Sequence, residues 1–236
     1  MKKITTFLSV LALMFASVDA KAQLVDGTDY IIQNVETGKY LGGANDWGTR
    51  ASLVEHPQIF TARVTNGILK LDSHTYNSAT AHFLGDNLYV DNDGAAITLS
   101  ATTGGAYKMS VGKVMCGIDG NVLADKDNAT WKITSVDEAL KDVNQKDLTF
   151  LIKGASFSRN HYNANFEPAW TVNASNKNLA GGANENMCAE SWQSAFTISQ
   201  AISIPNGIYV INAQAALTDY TNKYDGANYP VVFANE

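Results

Sequence analysis

Three times within residues 24–137, a tight turn delivers a short apolar strand that runs into a polar loop. The strands are Lys39-Tyr40-Leu41-Gly42-Gly43, Asn87-Leu88-Tyr89-Val90-Asp91 and Asn121-Val122-Leu123-Ala124-Asp125, after turns at Thr37-Gly38, Gly85-Asp86 and Asp119-Gly120. Leu41 precedes Tyr89 by 48 residues, and Tyr89 precedes Leu123 by 34. Each unit then reaches an aromatic that opens an alternating strand: Phe60 to Val64, Tyr107 to Val111 and Trp131 to Thr134. A unit of a few short strands cannot bury its apolar face alone, so the three must close on one another. Further alternating runs (Tyr30-Ile31-Ile32, Ile68 to Leu71, Ile97 to Leu99) sit between Gly, Asn and Asp turn signals. The expected class is all-β, a barrel or sandwich.

The opening Tyr30-Ile31-Ile32-Gln33-Asn34-Val35-Glu36-Thr37-Gly38-Lys39-Tyr40-Leu41 resembles the first repeat of a β-trefoil of the ricin-type lectin or fascin-like kind. Gln58-Ile59-Phe60 is similar to the Q-x-W signature of ricin-type lectins, with Phe in place of Trp. Ala129-Thr130-Trp131 keeps the aromatic and Gly105-Ala106-Tyr107 keeps neither part. The resemblance spans residues 24–137 and implies three repeats about a pseudo-threefold axis, with glycan recognition as the function.

Residues 1–22 have the layout of a secretory signal peptide. Lys2 and Lys3 precede an apolar stretch from Thr5 to Val18, and Ala20-Lys21-Ala22 offers small residues at a cleavage site before Gln23. The apolar stretch is shorter than the ~20 residues a spanning helix needs. The expectation is an exported protein, in the periplasm, at the cell surface or outside the cell, with no membrane insertion after signal removal. Net charge is −6, and −8 once residues 1–22 are gone. An acidic chain without a Lys/Arg cluster is a poor partner for nucleic acid.

Residues 138–146 read as a linker, and the charged run Val136 to Val143 that leads into them as a linker turn or single helical turn. Beyond them, Asp147 to Lys153 reads as a strand, and Phe196 to Leu217 as a hairpin turning at Pro205-Asn206-Gly207. Thr149 to Lys153, Trp170, Cys188 to Trp192 and Phe196 to Tyr209 resemble the galactose-binding-like jelly rolls found as carbohydrate-binding modules in secreted bacterial proteins. The 90 residues of 147–236 are fewer than the ~100 such a sandwich takes. The expected second domain is therefore a partial jelly roll, an incomplete β-sandwich.

Catalytic signatures are missing. The four His (56, 74, 82, 161) show no metal-ligand spacing, and no G-x-S-x-G, P-loop or dinucleotide fingerprint occurs. Asp91-Asn92-Asp93-Gly94 and Asp125-Lys126-Asp127-Asn128 lack the closing Glu of a calcium loop and read as turns. Cys116 and Cys188 read as buried free thiols rather than a bridge. The chain is expected to be non-catalytic, without cofactor or metal. Sugars offer a C–H face to an aromatic ring and hydroxyls to carboxylates and amides. The residues suited to that are Trp47 with Asn45 and Asp46, Trp192 with Glu190, and Trp170; Trp131, inside an alternating strand, is expected in the core. The function expected is carbohydrate binding; the alternatives are a structural or adhesion module contacting protein, and the non-catalytic part of a glycoside hydrolase.

Overall fold

A computed structural model describes residues 24–141, 147–153, 170–174, 196–207 and 209–213. Ten strands build one antiparallel sheet: β1 Asp29–Asn34, β2 Tyr40–Ala44, β3 Arg50–Val54, β4 Phe60–Thr65, β5 Ile68–Asp72, β6 Ile97–Ala101, β7 Tyr107–Val111, β8 Val114–Asp119, β9 Val122–Asp125 and β10 Trp131–Ser135. The protein is all-β. The sheet closes because β10 returns to β1, with Asn34 opposite Trp131 and Tyr30 opposite Ser135. Seven strands then form a ring in the order β10, β7, β8, β9, β3, β2, β1. β4 pairs with β1 at Asp29 and Tyr30, while β2 joins β1 at Gln33, and with β5 through the Asn66-Gly67 turn, where both residues have positive φ. β6 pairs with β7, and β5 lies beside β6.

The alternation that predicts strands also sorts the core. Tyr30, Ile32 and Asn34 of β1 face the barrel interior with Leu41, Phe60, Leu71, Leu84, Val90, Met109, Val111, Leu123 and Trp131. Trp131 is fully buried, and its Nε1–H donates to the Cys116 carbonyl at 3.1 Å. Ile31 points to the opposite face, yet it is buried too. There it meets Ile59, Phe150 and Leu151, with Val136, Leu140 and Leu148 around them. The unbroken Tyr30-Ile31-Ile32 run is thus a strand covered on both faces.

Phe60, Tyr107 and Trp131 each open a strand, as the repeat pattern predicts. Their equivalence does not hold. Tyr107 stands directly opposite Trp131, so β7 is a neighbour of β10 and not its counterpart. Likewise Leu41 lies on the first arm of the β2–β3 hairpin, while Leu123 lies on the second arm of β8–β9. The Leu88-Tyr89-Val90 segment forms no strand. Leu88 takes φ 58°, its N–H closes a turn on Gly85, and Tyr89 makes only an isolated bridge to Arg50. Asp91 to Asp93 is not a turn either, since Asn92 bridges Phe83 through two backbone bonds of 2.8 and 3.0 Å.

After β10 one expectation holds and two are corrected. α1, Val136–Ala139, is the expected single helical turn, capped by the Ser135 side chain accepting from the Glu138 N–H. Asp147 to Lys153 is not a strand: Thr149–Leu151 is a 3₁₀ turn. The Asp147 carboxylate accepts from the Thr149 N–H at 2.8 Å, a local bond that competes with extension. Consecutive Phe150 and Leu151 are both buried on one side, which a strand forbids. The Phe196–Leu217 hairpin is also absent from its described part. β12, Phe196–Ser199, pairs with β11, Thr171–Ala174, and the described residues from 200 to 213 contain no strand. Gln200 ends β12 by clamping Lys153, its Oε1 accepting from the Lys153 N–H and its Nε2 donating to the Lys153 carbonyl, both at 2.9 Å. The described residues from Ile204 onward belong to a separate unit, in which the Tyr209 hydroxyl donates to the Pro205 carbonyl at 2.6 Å. Residues 1–22 and 142–146, and most of the expected jelly roll, lie outside the described residues.

Candidate functional site

Asn45 and Asp46 follow β2 and are exposed. Their backbone is unusual: φ is 49° at Asn45 and 23° at Asp46, two successive non-glycine residues in the positive-φ region. Such strain persists only where surrounding structure fixes it. Here the fixing contacts are visible. The Asn45 Nδ2 donates to Ser52 Oγ at 3.1 Å, and the Ser52 hydroxyl, fully buried, donates to the Arg50 carbonyl at 3.0 Å. Upstream, Gly43 can only be glycine, because a Cβ there would lie 2.6 Å from the Gly48 carbonyl oxygen. The Gly43 N–H donates to Gln58 Oε1 at 2.9 Å, so the glutamine of Gln58-Ile59-Phe60 anchors this hairpin while Phe60 enters the core. Trp47 occupies the middle of a 3₁₀ turn, Asp46–Gly48; its indole lies outside the described side chains.

The structure adds two residues to this corner. The Tyr89 hydroxyl donates to Asp46 Oδ2 at 3.2 Å. Arg50 lies over the Tyr89 ring, its guanidinium carbon 5.0 Å from the ring centroid. That guanidinium also donates to the Asn87 carbonyl at 3.0 Å and the Leu123 carbonyl at 2.9 Å. Arg50 therefore ties together the β2–β3 hairpin, the 85–91 segment and β9. Tyr89 was legible as a repeat position, but nothing in one sequence brings it 43 residues back onto Asp46. Chemically the corner presents a carboxylate, an amide, a phenol and a guanidinium at the rim of the barrel, a set that bonds vicinal hydroxyls. Of the other expected sugar contacts, Trp170 is half-buried just before β11. Glu190 and Trp192 lie outside the described residues.

A second polar cluster lies on the outer face of β1, β4 and β5. Register places Asp29 opposite Thr61 and Thr61 opposite Asp72. Thr61, Asp72 and His74 are buried. Asp72 Oδ1 accepts from His82 Nδ1 at 2.8 Å and from the His74 backbone N–H at 3.0 Å, and Oδ2 faces Arg63 at 3.3 Å. Burial pushes the Asp72 carboxyl up, but the His82 bond and the surrounding positive charge outweigh it and hold it at about 2. Burial pushes His74 down to about 4, against the pull of Asp72. Asp29 pairs with Lys153 at 2.8 Å. Beside that pair is a cleft of about 410 Å³ with Ile59, Val136, Leu140 and Leu151 in its walls. No group of three or more metal-ligating side chains occurs among the described residues. Cys116 is a buried free thiol, pushed up to about 12 by burial, and Cys188 lies outside the described residues. No family model matches the chain, and comparison with curated proteins and with solved structures finds no match.

Proposed function

We propose that this chain is an exported, non-catalytic carbohydrate-binding protein whose barrel is a β-trefoil and whose glycan seat is the Asn45–Asp46–Trp47 corner with Tyr89. The trefoil reading rests on strand pairing. β1 with β4, β5 with β6, and β7 with β10 are three neighbouring pairs, joined in turn by β4–β5, β6–β7 and β10–β1. Between the members of each pair the chain makes an excursion: the β2–β3 hairpin, the bridged 83–92 segment, and the β8–β9 hairpin. Threefold repetition of pair and excursion is what the repeat resemblance implies.

The observation that carries the glycan reading is the exposed Asp46 carboxylate. It sits on a strained backbone and is oriented by the Tyr89 hydroxyl. A carboxylate held in place loses little freedom on accepting sugar hydroxyls, which is the condition for a weakly buried polar ligand to bind. Glycan-array screening of the chain without residues 1–22 tests the reading, followed by Asp46→Asn, Tyr89→Phe and Trp47→Ala on any sugar retained. Each variant should weaken binding at least tenfold with melting within a few degrees of the parent. No retained glycan, or binding indifferent to all three, overturns the reading.

A further inference from the structure

The hydrogen-bonding protons of the Asp29–Thr61–His74–Asp72–His82 row, buried at Thr61, Asp72 and His74, can be counted one by one. Thr61 has a single hydroxyl proton, and it is donated to the Asp29 carboxylate, which faces Lys153 and can only accept. Thr61 Oγ1 lies 2.8 Å from His74 Nε2, so with its proton spent it must accept there, and Nε2 carries the hydrogen. The other ring nitrogen then settles the charge. His74 Nδ1 stands 3.7 Å from Asp72 Oδ1, too far for a hydrogen bond, whereas His82 Nδ1 reaches the same oxygen at 2.8 Å. A protonated Nδ1 beside a buried carboxylate would close that gap. Two lone pairs, on Nδ1 and on Oδ1, would keep it open.

Asp72 Oδ1 is already saturated. It accepts from the His74 N–H and from His82 Nδ1, which uses both of its lone pairs. His82 in turn is the ring that organises the 73–83 loop. It stacks on Tyr76 at 4.4 Å and packs against Phe83 at 4.2 Å, and its carbonyl accepts from the Ser73 N–H at 2.9 Å. The groups facing His74 come from every element around it: Asp72 on β5, Thr61 and Arg63 on β4, Asp29 on β1, His82 on the loop, and Lys153 after the 3₁₀ turn. Arg63 and Lys153 oppose a second proton on His74; Asp72 and Asp29 favour it.

We propose that this row is an acid-sensitive latch: His74 is a neutral Nε2–H imidazole at pH 7, and a proton added at Nδ1 turns Asp72 Oδ1 toward His74, displaces His82 and frees the 73–83 loop. The His74 ring is held at Nε2 by Thr61 Oγ1 at 2.8 Å, so it does not swing freely toward Asp72 and the carboxylate oxygen is the group that turns. The exchange is then between two discrete bonding patterns. It involves one proton from solvent and no bond other than hydrogen bonds.

Long-range proton–nitrogen correlation spectra of uniformly ¹⁵N-labelled protein, with imidazoles assigned through the backbone, test this directly. At pH 7 His74 should show one protonated nitrogen, Nε2, and an unprotonated Nδ1. On acidification the His82 Nδ1 signal should shift in the same step as His74, together with amide signals from 73 to 83. In His74→Asn, chosen because Asn tolerates positive φ, the His82 shift in that step should vanish. A charged His74 at pH 7, a proton on its Nδ1, or a His82 signal that ignores the His74 step would each overturn the proposal. The pH 7 tautomer decides the first part even if His74→Asn does not fold.

Discussion

Closure of the barrel depends on β10, and the largest buried side chain on β10 is Trp131. The perturbation that tests this is Trp131→Phe. The ring sits fully buried among Leu41, Phe60, Met109 and Leu123 in the same cluster, so the smaller phenyl leaves a void the size of the lost pyrrole atoms. Cavity formation of that size costs about 1–2 kcal/mol. The substitution also removes the Nε1–H that donates to the Cys116 carbonyl at 3.1 Å. A buried carbonyl that loses its donor costs about 1–3 kcal/mol more. The expected loss is therefore about 2–5 kcal/mol, a large share of the ~5–15 kcal/mol stability of a domain. Urea unfolding at pH 7, followed by circular dichroism, measures it without reliance on the missing indole. Trp131→Ala should be worse, because the void is larger and β10 loses its grip on both β1 and β7. A loss below about 1 kcal/mol for Trp131→Phe would mean that the ring is not packed as described, and the closure argument would fail with it.

Gly43→Ala should destabilise by about 1–3 kcal/mol in the same assay, since its Cβ would sit 2.6 Å from the Gly48 carbonyl oxygen, and rigid backbone cannot give way cheaply; an unchanged midpoint would refute the contact. The Cys116 thiol, buried and pushed up to about 12, should resist alkylation at pH 8 in the folded protein and react on unfolding in urea; labelling at the native rate of a free thiol would place it at the surface. Stability should fall on acidification. His74 and Asp72 both have folded values below their free ones, so their contribution is full above pH 6.5 and is lost as the pH falls. The His74 part, about 3 kcal/mol, goes between pH 6.5 and about 4, and the Asp72 part, about 2 kcal/mol, between 3.8 and about 2. A urea midpoint that stays constant from pH 7 to 4.5 would contradict the first of these.

Alternation in sequence reveals that a residue belongs to a strand, a reading that held for Phe60, Tyr107 and Trp131, and the core position expected of Trp131 held as well. It carries no information about which strand lies alongside. Tyr107 and Trp131 look like repeats of one position and are instead cross-strand partners. The same limit explains Phe196–Ser199, whose partner is Thr171–Ala174 rather than the nearby run after Gly207. Pro205-Asn206-Gly207 makes that run look hairpin-like, but turn residues do not say which strand the backbone of Phe196–Ser199 pairs with. The candidate site was legible in part: Asn45 and Asp46 announce a polar loop. Tyr89 and Arg50 complete it only through the fold.

The polar row on β1, β4 and β5 shows why burial is harder to read than pairing. Asp29, Thr61 and Asp72 occupy the outward face of their strands, where a wet surface is the simplest expectation. They become enclosed because that face has covers. Phe150 and Leu151 pack on Ile31 and Ile59, Lys153 reaches Asp29, and the 73–83 loop folds His74 and His82 over Asp72. Phe150 and Leu151 cover the apolar part of that face, while Lys153, His74 and His82 meet the polar row with donors and acceptors, so its buried groups are bonded and the enclosure costs little. In the first and third excursions of the chain, hairpins stand where the second has this loop. The irregular chain between β5 and β6 is also what carries His74 and His82 onto Asp72. That loop leaves β5 at Asp72 and returns through the Phe83–Asn92 bridge, so one carboxylate at the strand end receives both imidazoles.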